Sequence, residues 1–139
     1  MENIPSNHLK SISPVIEKFH RPALALESQV IHPTLNYVGY FDGLAVHTPS
    51  QKVTLIDWKT SKKDKLTLAA TFDAPVQIAA YAGALNYDDR YPYQVENALI
   101  GVVYNDGKMA TLIHMDKYQL VKHWLIWLDR LKLYQKLFP

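Results

Sequence analysis

Two apolar, strand-like runs, Tyr37 to Thr48 and Lys52 to Lys59, are separated only by Pro49-Ser50-Gln51. A link so short and polar makes them turn back on each other as neighbouring antiparallel strands. Asp42 closes the stretch Val38-Gly39-Tyr40-Phe41 and Asp57 follows Leu55-Ile56, so the pairing brings two carboxylates toward each other. Side chains two apart on a strand share a face, which sets Lys59 beside Asp57. Two oxygen ligands with an ammonium next to them are the minimum set for metal-assisted attack on a phosphodiester. The carboxylates suit magnesium or manganese, and the lysine suits the attacking water and the charge that develops on phosphate oxygens.

The 139 residues, 48% hydrophobic and 20% charged, describe one ordered domain spanning 1–139. A net charge of +2 is too small to argue for a polyanionic partner by itself. Lys59, Lys62, Lys63 and Lys65 crowd the end of the Asp57 strand, while Lys117, Lys122, Arg130, Lys132 and Lys136 lie in the last quarter. A solvated face is the default explanation of such runs. With no cysteine there are no disulfide partners and no thiolate metal sites, leaving oxygen or imidazole ligands. No apolar run approaches the roughly 20 residues of a membrane span, so no membrane partner is expected. Met1 to Ser13 shows neither a signal-peptide core nor an arginine-rich amphipathic pattern, and no transit peptide is visible.

Residues 1–7 read as a frayed start, followed by a short helix from His8 to Phe19 with Leu9, Ile12, Ile16 and Phe19 on one side, weakened by Pro14. Ala23 to Ile31 alternates like a strand, with Leu24, Leu26, Ser28 and Val30 on one face. After a turn at His32-Pro33-Thr34 come the two strands already described, then a lysine-rich loop from Thr60 to Leu66. Pro75 opens a small-residue helix suited to close packing on a sheet. A loop spans Asn86 to Tyr93. Asn97 to Tyr104 and Met109 to His114 form a hairpin around Asn105-Asp106-Gly107. Asp116 caps a final helix from Lys117 to about Leu137, striped with Leu120, Trp124, Trp127, Leu131, Tyr134 and Phe138. The architecture expected is α/β, a mixed central sheet flanked by helices.

Taken singly, the candidate residues have bland explanations. An aspartate at a strand end is most often a turn former, and Gln77 with Tyr81 is most often a surface or core pair. Glu27 is odder, since a carboxylate inside an apolar strand needs a reason to be buried. The six histidines show no metal-ligand spacing. Trp124 and Trp127 read as core, and Tyr87, Tyr91 and Tyr93 as loop tyrosines covering apolar surface.

In order, Glu27, Gly39-x-x-Asp42, Asp57-x-Lys59 and Gln77-x-x-x-Tyr81 fall on strand, strand, strand and helix. That order resembles the PD-(D/E)XK nuclease superfamily and its RecB-like branch. Ala25-Leu26-Glu27-Ser28, Leu35-Asn36-Tyr37-Val38-Gly39, Ile56-Asp57-Trp58-Lys59-Thr60-Ser61, Thr71-Phe72-Asp73-Ala74-Pro75-Val76-Gln77 and Ala80-Tyr81-Ala82-Gly83-Ala84 further resemble the animal mitochondrial genome maintenance exonucleases. The resemblance runs from about Ala25 into the C-terminal helix. It implies a restriction-endonuclease-like core and a magnesium-dependent exonuclease (manganese being an alternative) that acts on single-stranded DNA ends and flaps in mitochondria; a monomer is expected. By motif, Asp42 and Asp57 would be metal ligands with the Trp58 main-chain carbonyl, and Glu27 a further candidate ligand. Lys59 would be the catalytic lysine. Gln77 and Tyr81 would orient the site or the DNA, and Thr60 and Ser61 would touch phosphate. The family's helical region before the Glu27 strand has no counterpart, so the chain reads as an N-terminally truncated core. The alternative is a catalytically weak core that serves as a DNA-binding or interaction module.

Overall fold

The Pro-Ser-Gln link folds the chain back as expected, and the turn is tight enough to hold Gln51 at φ 58°. In the computed structural model, which describes residues 5–139, the hairpin joins β2 (Val38–His47) to β3 (Lys52–Ser61). Its ladder runs from His47↔Lys52 to Gly43↔Ile56. The first four residues of the expected frayed start lie outside the described range. Before the hairpin come α1 (Ser6–Ile16) and β1 (Ala25–Ile31). After it come one 3₁₀ turn (Leu68–Thr71), α2 (Ala74–Tyr87), β4 (Asn97–Tyr104), β5 (Thr111–Met115) and α3 (Lys117–Leu137).

The five strands lie in chain order, all antiparallel except β3 with β4. That pair is parallel because α2 carries the chain back across the sheet, the crossover that a parallel neighbour requires. The sheet is therefore mixed, as expected. Its central strands bury both faces and are nearly continuous apolar runs. Leu55 and Ile100 face α2 and α3 in the main core with Leu44, Ile78 and Leu85. Ile56 and Leu99 face the other way, with Phe19 and Ala45.

On β1 and β2 the simple alternation fails. Phe41 and Leu44 enter the same core, although an odd number of positions separates them. The register is unbroken, with Leu26↔Gly43 before the slip and Ser28↔Phe41 after it. The pleat reverses instead at Glu27, which takes φ 44°, and at Asp42 opposite it. As a result Leu26, expected on the same face as Val30, is 68% exposed while Val30 is buried.

Ser11 and Val15 are the buried residues of α1; of the expected stripe, Ile12 packs beside Val15 and Phe19, just past the helix, is buried, while Leu9 is exposed. Ser11 Oγ accepts from the Tyr104 amide at 2.9 Å, and its carbonyl accepts from Ala110 N at 2.8 Å. The tight turn at Asn105-Asp106-Gly107 forms, with Gly107 N donating to Tyr104 O. Because Ala110 is engaged by α1, however, β5 starts only at Thr111.

A loop after α2 clasps the outer edge of β1. Asp88 Oδ2 accepts from Ile31 N at 2.9 Å, and both Arg90 Nη2 and the Tyr91 hydroxyl donate to the Gln29 carbonyl. Hydrogen bonds from Arg90 hold the Asp88 carboxyl well below the usual carboxylate range. Tyr91 and Tyr93 pack on the core, as the bland explanation has it.

Asp116 caps α3 by accepting from Gln119 N at 2.9 Å. Leu120 is buried, and Trp124, Trp127 and Leu131 pack against the core, but Tyr134 and Phe138 run past the sheet and are exposed. Trp124 stacks on buried His32 and touches Tyr37. It lies so close to Gly83 that a Cβ there would stand 2.2 Å from the indole. Gly83→Ala gains about 1 kcal/mol of helix propensity but must displace a ring wedged between two others, at roughly 1–3 kcal/mol. The expected outcome is net destabilisation, read as a lower urea midpoint with an unchanged m-value. A more stable variant would mean that α2 and α3 are not in close contact here.

Candidate active site

The β2–β3 ladder ends at Gly43↔Ile56, and the next positions in register are Asp42 and Asp57. From there the strands part. β3 continues along β4 as far as Ser61↔Tyr104, while β2 follows β1. The amide that the parting frees on Trp58 donates to Asp42 Oδ2 at 2.7 Å. A side chain thus replaces the missing rung and leaves the second oxygen of Asp42 uncommitted.

Asp57 is 4% exposed, on the face of β3 that looks toward α2. Lys59 Nζ lies 3.1 Å from its Oδ2, an ion-pair distance with poor alignment, so Oδ2 is buried with no hydrogen-bond partner. Lys59 Nζ also donates to Gln77 Oε1 at 2.8 Å. Tyr81, one helical turn beyond Gln77, lays its ring against Gly39, where a Cβ would come within 2.5 Å. The chain needs glycine there because α2 could not otherwise approach the fork. Burial, and then the charge of Asp57, raise the Tyr81 hydroxyl pKa.

Two open clefts flank the carboxylates. One, of about 510 Å³, is bounded by Lys59, Gln77, Tyr81, Trp127 and Arg130. The other, of about 540 Å³, is formed by Leu26, Glu27, Asp42 and Trp58. The structure thus gathers Asp42, Asp57, Lys59, Gln77 and Tyr81 at one point. Glu27 stands across the second cleft, exposed, and among the described residues no three acidic or imidazole side chains form a closed cage. Thr60 is exposed, and Ser61 Oγ is engaged in a local turn with Lys63. Trp127 and Arg130, which read from sequence as core and as solvated charge, also line the first cleft, carried there by the three-dimensional path of α3.

Burial pushes the Asp57 carboxyl up to about 6; Lys59 opposes the shift and neighbouring Asp42 adds to it. A buried carboxylate faced only by the Lys59 ammonium, beside a second carboxylate with a spare oxygen, suits a hard divalent cation. Magnesium needs only one or two protein carboxylates because it keeps several waters. The donor set therefore fits the metal.

The chain is 40% identical over 131 residues to mitochondrial genome maintenance exonuclease 1 of Homo sapiens, which takes in 94% of this chain and 37% of that protein. It is 46% identical over 112 residues to the Xenopus tropicalis protein of the same name, covering 81% of this chain and 32% of that one. The chain is a homologue of these exonucleases. It spans about a third of the length of the curated relatives it matches. No family model matches. Among solved structures, SSO0001 is a remote likeness, 18% identical with a TM-score of 0.40 over 76% of this chain and 48% of that one.

The raised Asp57 pKa has a definite sign in the metal-free protein. The folded state favours the protonated acid. Its stabilising contribution is therefore complete only below the unfolded pKa of 3.8 and is lost as pH rises through about 6. In chelator, the wild type is expected to lose on the order of 1–2 kcal/mol between pH 5 and 8 through this group. Asp57→Asn should remove that slope and be the more stable form at pH 8. Parallel urea stabilities of the two proteins across this range would show that Asp57 titrates normally.

Proposed function

We propose that this chain is the core of a metal-dependent nuclease that hydrolyses phosphodiester bonds at single-stranded DNA ends and flaps, in mitochondrial DNA maintenance. The observation that carries the reading is the buried Asp57 carboxylate set between Asp42 and Lys59, with the Lys59 ammonium 3.1 Å from its Oδ2. The relatives' name, mitochondrial genome maintenance exonuclease 1, points the same way.

Asp42, Asp57 and the Trp58 main-chain carbonyl would hold magnesium or manganese, with Glu27 near enough in the cleft to order water. When bound, the ion polarises the phosphate and lowers the pKa of water. The rest of the work falls to the chain. Asp42 pins the backbone at Trp58, so the carbonyl of that residue and the side chain of Asp57 keep a fixed relation. Gln77 accepts from Lys59 and holds the ammonium at the cleft mouth, where a fixed positive charge stabilises developing negative charge without reorganising. Tyr81 walls the same cleft and keeps water from the back of Asp57.

End-labelled single-stranded DNA, incubated with magnesium and with chelator, tests the reading directly. Shortening from the labelled ends only with magnesium is the expected result. Binding without cleavage would favour a DNA-binding module instead. Lys59→Ala should slow cleavage by roughly 10²–10³, the loss typical of one transition-state stabiliser. Its affinity for single strands in calcium should change far less. An affinity loss as large as the rate loss would make Lys59 a backbone clamp.

A further inference from the structure

Next to the cleft at Lys59 lies a smaller pocket of about 240 Å³, whose walls include Lys59, Thr60, Lys65, Thr71 and Phe72. Phe72 is unusual in two respects. Its ring is 80% exposed, the highest value among the exposed large apolar side chains, so it covers no core. Its backbone lies at φ 56° and ψ −115°, where side-chain-bearing residues are strained.

A loose loop would relax out of that conformation. This one is held from both sides. Thr71 Oγ1 donates to Leu68 O at 2.6 Å, and Thr67 caps the short turn by accepting from Ala70 N. On the other side Asp73 pairs with Arg130 at 3.1 Å, and its carbonyl receives Gln77 N at the start of α2. These contacts hold the backbone on either side of Phe72 and present its aromatic ring to solvent beside the candidate catalytic lysine. The Lys65 ammonium sits 4.5 Å from the ring centroid, which leaves the opposite face open.

We propose that Phe72 is a stacking platform for one base of the single strand, with Lys65 and Thr60 receiving the phosphate next to the one that Lys59 faces. This rests on the single-strand nuclease reading above. Every base has a π-face, so such a platform tolerates any sequence. A loop backbone already held on both sides leaves less to be ordered on binding. Lys65 adds a charge contact that salt screens.

The test is fluorescence anisotropy with a labelled oligothymidylate in calcium, using the whole chain. Phe72→Ala should weaken binding by about five- to a hundredfold, while Phe72→Trp should bind at least as well as wild type. Lys65→Ala should reduce the log–log salt slope by about one. A single abasic site moved along the oligonucleotide supplies the decisive arm. At one position it should weaken wild-type binding as much as Phe72→Ala does, and add nothing further to that variant. Equal affinity for Phe72→Ala and wild type would overturn the platform. So would loss of affinity in both Phe72 variants, or additive abasic effects at every position. Failure of the wild type to bind single strands at all would instead overturn the nuclease reading, and the platform with it.

Discussion

The centre of this molecule depends on the point where β2 and β3 stop pairing. Sheet strands rarely part in mid-run, because each lost rung leaves amide and carbonyl groups without partners. Here the Asp42 carboxylate takes the place of the departed strand at the Trp58 amide. That substitution lets β3 continue along β4 while β2 bends away with β1, and the gap between them becomes the site. The reversed pleat at Glu27 and Asp42 belongs to the same event. It returns Val30 and Phe41 to the core after the strands have changed direction.

Such an arrangement is costly in isolation. Asp57 is buried beside a second carboxylate, and its ionised form is opposed by both. Lys59 offsets part of this, but its alignment leaves Oδ2 unsatisfied. Packing against neighbouring glycines holds the geometry in place. Tyr81 lies on Gly39, and Trp58 lies over Gly101, where a Cβ would stand 2.2 Å from the indole. The two aromatic residues wedge α2 and β4 against the fork, so a local cost is carried by rigid surroundings. Pre-organisation of this kind is what a charged reaction centre requires.

How much of this is legible in the sequence depends on how local each feature is. The hairpin, the proline start of α2 and the Asp116 cap rest on neighbouring residues, and the structure has all three. The shared face of Asp57 and Lys59 follows from strand periodicity alone. The buried side of α1 does not, because it is decided by Ser11 meeting Tyr104 and Ala110 far along the chain. The reversed pleat is equally hidden, since nothing in the side chain of Glu27 announces φ 44°. Phe72 belongs to one of the segments that carry the family resemblance, but its exposure and backbone angle appear only in three dimensions.

The clasp on β1 bears on a different matter, the behaviour of the chain at high concentration. β1 is an edge strand, next to the exposed apolar side chains Leu26, Val38 and Tyr40. An edge of that kind recruits strands from other copies. Asp88, Arg90 and Tyr91 occupy Ile31 N and the Gln29 carbonyl, the groups an incoming strand would need. The loop closes off the sheet where growth would begin, and it does so with side chains, at no expense to the strands that carry the acidic pair.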